Sequence, residues 1–226
     1  MAAAIAAGLV SSFAQSSNVY SVNVVGYINV TTPPGFSMID NQLSVSNNTL
    51  GDVLGNANSG PVLQDCQVLK YDKVHANYSL DVYDQGVPGW ADAITGNPST
   101  NRVAPGVGFF FYNARTTNIV LTMVGQVPQG TNTVPLTSGF NLIGTPPPVP
   151  LFLRSTNGFP AVQDMQFLRF TNSTGAGGYD ALLVFDSGDW YNAVTGNPSE
   201  PQPGLGQGYF IYNPGSSTWT NIFNVQ

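Results

Sequence analysis

The chain carries one histidine, His75, and one cysteine, Cys66, and that scarcity decides most of its chemistry. Zinc sites built from His and Cys take three or four such ligands. A Ser-His-Asp arrangement would have to use His75, and a thiol nucleophile would have to pair Cys66 with His75. The chain has no G-x-S-x-G, no phosphate-binding G-x-x-x-x-G-K-[ST], and no G-x-G-x-x-G that opens a helix. Gly204-Leu205-Gly206-Gln207-Gly208 is glycine-rich but runs into Tyr-Phe-Ile-Tyr, a strand signal. A non-catalytic protein without a cofactor is the expectation. The carboxylates at Asp65, Asp164, Asp84 and Asp186 fall at turns or strand entries, where Asp caps backbone. Asp180, Asp186 and Asp189 are the set with calcium-ligand chemistry, though no D-x-[DN]-x-[DN]-G loop frames them. Trp90 with Asp92 and Asn97, and Trp190 with Asn192 and Asn197, offer a flat ring beside polar side chains. That pairing suits the apolar face and hydroxyls of a sugar; the alternative is that each Trp closes a small core.

The elements that must position these residues are strands. Of 226 residues only 8% are charged, against roughly 25% in an average soluble domain. Eleven of the acidic residues are Asp and only Glu200 is Glu, a bias toward turns over helices. The net charge of −6 argues against nucleic acid and anionic lipid, which need clustered Lys and Arg. Four blocks recur in order. Gly35-Phe36-Ser37-Met38-Ile39 returns as Gly139-Phe140-Asn141-Leu142-Ile143. Val62 to Tyr71 returns as Ala161 to Phe170, Trp90 to Ser99 as Trp190 to Ser199, and Gly108 to Asn113 as Gly208 to Asn213. The spacing predicts two tandem copies of a unit of about 100 residues.

Cys66 to Tyr71 reads as a strand. Tyr78 to Tyr83, a turn at Asp84-Gln85-Gly86, and Trp90 onward read as a hairpin. Its second copy turns at Asp186-Ser187-Gly188, a pattern that fits a type I turn closed by a left-handed glycine. Thr49-Leu50-Gly51-Asp52 predicts one capped helical turn before Gly55. Gly108 to Asn113 places aromatics on both faces of one strand, so either both faces are covered or one meets another subunit. The fold expected is all-β: two sandwich or barrel-like units with very little helix. Strand-like segments at Val19–Tyr27, Ile119–Val127 and Trp219–Val225 lie about 100 residues apart, and the middle one is expected to serve both units.

Ala2 to Val10 is apolar and is followed by Ser12 and Ala14 at the spacing of a secretory cleavage site, without a basic residue ahead of it. The expected organisation is a leader over 1–14, a first unit over 15–118 and a second over 119–226. G-F-[SN]-[ML]-I, a hairpin with Trp, then P-G-x-G-F-F-F-Y-N or G-x-G-Y-F-I-Y-N, resembles uncharacterised tandem β-repeats in exported proteins of environmental Gram-negative bacteria. The resemblance implies secretion to the cell surface and a fold family, with no activity or functional residues. The expected function is a self-associating extracellular subunit of a fibre, sheath or surface layer, its partner being itself. Val19, Tyr20, Val22, Val24 and Tyr27 would form a strand for exchange with the next copy. The alternative is a glycan-binding module, with extracellular polysaccharide on the two Trp loops. Neither nucleic acid nor insertion into a membrane is expected.

Overall fold

The computed structural model describes residues 24–55, 60–86, 89–172 and 177–225. It is all-β, and among these residues no helix is long and apolar enough to cross a membrane. The first half runs β1 (Val25–Thr32), β2 (Gly35–Asn41), α1 (Leu50–Leu54), α2 (Gly60–Leu63), β3 (Gln67–Asp72), β4 (Asn77–Asp84), β5 (Gly89–Asp92), β6 (Val107–Asn113) and β7 (Ile119–Gln126). The second runs β8 (Gly130–Leu136), β9 (Gly139–Ile143), β10 (Gln166–Leu168), β11 (Phe170–Thr171), β12 (Gly178–Tyr179), β13 (Leu183–Asp186), β14 (Asp189–Asn192), β15 (Tyr209–Asn213) and β16 (Ser217–Phe223).

Within the first half the antiparallel order β2-β6-β3-β4-β5 makes a sheet, and β1 and β7 pair as a separate ribbon. The second half has the order β9-β15-β10-β13-β14 and a ribbon of β8 with β16. Each ribbon packs its alternate side chains onto its sheet. Ile28, Leu121 and Met123 meet Ile39, Phe109 and Phe111 in one core, while Val134, Leu136 and Trp219 meet Tyr209, Ile211 and Phe167 in the other. The period of two within the ribbon strands puts one face into the core and one toward solvent.

Two local expectations differ from the structure and a third agrees with it. Ile119–Val127 does not serve both halves: β7 pairs with β1 along its full length, and a separate strand, β8, opens the second half. Ser187 as well as Gly188 has positive φ, 51° and 93°, which makes that hairpin loop type I′. A type I′ turn matches the right-handed twist of its strands, as a type I turn would not. Thr49 does form a capping box: its Oγ1 accepts from the Asp52 N–H and the Asp52 carboxylate accepts from the Thr49 N–H. Thr49 thereby satisfies an otherwise orphan donor of α1, which buries Leu50, Val53 and Leu54.

The two halves meet along a seam with matching contacts on its two sides. Val107 pairs with Ile143, and Ile39 bridges Gln207. The Gly144 N–H donates to the Gly106 carbonyl at 3.1 Å, and the Asp40 N–H to the Gly206 carbonyl at 3.0 Å. The segment just ahead of β15 thus lies against β2 as the start of β6 lies against β9. The approach is so close that a Cβ on Gly108 would lie 2.6 Å from the Ile143 carbonyl oxygen, and one on Gly208 would lie 2.5 Å from that of Ile39. Only glycine allows backbones to come this near. The aromatics on both faces of β6 find their covers here. Phe109 and Phe111 face the first core, whereas Phe110 packs on Phe170 at 5.5 Å and on Phe210 at 6.3 Å across the seam.

Candidate functional site

The Trp loops are built differently from a sugar platform. Trp90 and Trp190 are only 4% and 1% exposed, so neither ring offers a face to a ligand. The physical reason is register: each Trp faces inward from its strand, opposite Tyr83 or Phe185. Their rings pack at 5.5 Å and 5.4 Å from those partners, and the Trp190 Nε1 donates to the Leu153 carbonyl. The polar neighbours build the loop beyond. Asp92 accepts from the Ile94 and Thr95 N–H groups and the Thr95 hydroxyl, and these bonds, Thr95 foremost, hold its carboxyl below the usual range. Asn192 accepts in the same way from Val194 and Thr195. The backbone carbonyls of Asn97 and Asn197 close the loops by accepting from the Asp92 and Asn192 N–H groups. What the loops present is aliphatic: Ile94 is 90% and Val194 82% exposed.

The calcium candidates are not brought together. Asp180 is ion-paired with Arg169, Asp186 accepts from Gln163 and Ser187, and Asp189 accepts from the Trp190 N–H. No group of three metal-ligating side chains occurs among the described residues. Cys66 is fully buried, and burial pushes its thiol pKa up, away from reactivity. His75 is exposed in the β3–β4 loop, 2.7 Å from the Asp72 carboxylate. Asp65 and Asp164 both adopt the left-handed conformation, with φ of 63° and 64°, and donate their N–H groups to Tyr83 and Phe185.

The two ribbons form the least protected surface. None of β1, β7, β8 or β16 contains an Asp, Glu, Lys or Arg. On the outer face of the first, exposed Tyr27 stands directly opposite exposed Val124, with Val25 and Val120 on the same face. The outer face of the second carries Thr131, Thr133, Thr218, Thr220 and exposed Ile222. Each ribbon is only two strands wide among the described residues, apart from a bridge between Ser44 and Gln126. Edge strands in monomeric proteins are normally blunted by charge, proline or a covering element. Here Pro135 is the only such device within the strands themselves.

Of the segment expected to exchange between copies, Val19, Tyr20 and Val22 lie outside the described residues. The Val24 carbonyl accepts from the Val127 N–H, and Tyr27 lies in β1. The backbone of β1 is therefore used within its own chain on one edge, which leaves its opposite edge and its outer face. Sequence reasoning did not single out β7, β8 or β16 for contact, although the absence of charge in each was readable. No protein-family model, curated protein or solved structure matches the chain.

Proposed function

We propose that this protein is an exported structural subunit that self-associates through its ribbons, forming a fibre, sheath or surface layer. The observation that carries the reading is the complete lack of charge on four strands whose outer faces are exposed. Such a surface gains by burying Tyr27, Val25, Val120 and Val124 against a second copy, and nothing on it repels that copy. The apolar N-terminal run supports export. The low charge of the whole chain supports association over free diffusion. The burial of both Trp rings removes the basis for a glycan platform on those loops.

The test is the paired substitution Tyr27→Lys with Val124→Glu in the full chain. These residues are cross-strand partners, so the new charges attract one another and keep the ribbon intact. They also charge the outer face. Electron micrographs of the unaltered chain are expected to show extended or sheet-like assemblies, and those of the variant separate particles. Assemblies of unchanged form and amount in the variant would overturn the proposed surface.

A further inference from the structure

Both lysines of the chain, Lys70 and Lys73, line one cleft of about 500 Å³ where the halves meet. Ser79 and Asn101 supply neutral polar groups, and Tyr71 and Leu142 supply apolar wall. The Asn101 amide is fixed by donating to Ser79 Oγ at 3.1 Å and to the buried Asp81 carboxylate at 2.7 Å. Lys70 is half-buried, and no ion pair is formed by it among the described residues. Its ammonium is partly stripped of water, which lowers its pKa, while the charges of Asp81 and Asp72 oppose that shift from a distance.

The other side of the seam provides an internal control. Leu69 pairs with Phe110 as Leu168 pairs with Phe210, so the counterpart of Lys70 is Arg169. Arg169 is neutralised by Asp180. Val68 pairs with Asp81 as Phe167 pairs with Leu183, which sets Ser79 against Ala181. Ser99 and Ser199 donate alike to the carbonyls of Trp90 and Trp190, which sets Asn101 against Pro201. The first copy therefore carries an unpaired cation with a hydroxyl and an amide on a continuous hairpin, while the second carries a satisfied ion pair with apolar groups where its strand is interrupted at Arg169.

We propose that this cleft binds a carboxylated saccharide, with Lys70 holding the carboxylate of a uronic acid unit. Ser79 and Asn101 meet its ring hydroxyls, and Tyr71 with Leu142 covers the apolar face of the ring. The volume lies in the range of small-ligand sites, and the mixture of apolar wall with a few convergent polar groups is their usual make-up. Asp72 also lines the cleft, which favours a singly charged carboxylate over a doubly charged phosphate. The proposal does not depend on self-association.

Calorimetric titration of the full chain with a galacturonic acid trimer, and with its neutral galactose counterpart, tests it. Saturable binding of the acidic trimer alone, weakened by salt, is expected. Lys70→Gln is expected to weaken it about tenfold or more, while Arg169→Gln leaves it unchanged. Ser79→Ala, a smaller change, is expected to weaken binding several-fold and to retain its salt dependence. Thermal midpoints of each variant establish that it is folded. Equal binding of the neutral trimer, unaltered binding by Lys70→Gln or Ser79→Ala in folded protein, or no binding by the unaltered chain would each overturn the proposal.

Discussion

Replacing Asp40 with asparagine isolates an ionisable group at the centre of the seam. The Asp40 side chain is fully buried, and neither carboxylate oxygen makes a well-aligned hydrogen bond. Its place is fixed by Gly144, where a Cβ would lie 1.8 Å from the Asp40 Cγ. Burial pushes its pKa well above the ordinary 3.8, and the backbone groups of Thr145 and Gly106 oppose this only in part. The buried Tyr209 hydroxyl is raised as well, first by burial and then by the charge on Asp40. In the unfolded chain Asp40 loses its proton near its ordinary value, whereas in the folded protein it keeps it to higher pH. Within that window unfolding releases a proton, so stability falls as pH rises, by about 1.4 kcal/mol per pH unit. Below the window the group is protonated in both states and imposes no cost.

Asparagine cannot ionise, so the slope vanishes in Asp40→Asn. The assay is urea unfolding of both proteins across roughly pH 4 to 9, reading the difference in stability at each pH. Any packing change from the amide adds a constant. Asp52, Asp72, Asp92 and Asp186 have lowered pKa values and contribute stability that is lost as pH falls, but they are present in both proteins and cancel. The variant is expected to gain on the parent by about 1.4 kcal/mol per pH unit from the low end of the window, then level off. A difference that is flat with pH would refute the claim that the seam holds Asp40 neutral.

Gly108→Ala is expected to destabilise by about 1–3 kcal/mol in urea unfolding, because its Cβ would press on backbone rather than on a side chain able to move. An unchanged unfolding midpoint would contradict the close approach of β6 to β9. Asp92→Asn is expected to lower the thermal midpoint at neutral pH only slightly, since Asn192 makes the matching backbone bonds as an amide, while Asp92→Ala, which removes the acceptor, is expected to lower it more.

The strands and their turns were legible because local signals agreed. Short β-prone and aromatic runs marked β3, β4 and β6, Asp-x-Gly marked a hairpin, and Thr49 with Asp52 marked a cap. Short-range chemistry does not state what covers a face. Aromatics on both sides of β6 showed that two covers were required, but only the tertiary structure shows that the second cover is the other half of the chain. The Trp loops misled for a related reason. Polar neighbours at Asp92 and Asn97 bond to their own loop, and the ring beside them obeys the strand's inward alternation. The seam did leave a trace: one residue beyond the shared G-F-x-x-I block, Asp40 stands against Gly144. A carboxyl facing a missing side chain is the complementarity of two unlike surfaces. The cleft is legible in the same way, through Ser79 against Ala181 and Asn101 against Pro201, once strand register fixes which residues correspond.

On the ribbons the lack of charge coincides with exposed outer faces, and there it has its clearest physical consequence. Sedimentation velocity of the full chain over a wide concentration range, at low and high salt, tests self-association most directly. Uncharged contacts are not screened, so the account predicts species that grow with concentration and persist or increase as salt is raised. A single monomeric species at every concentration and salt level would contradict it.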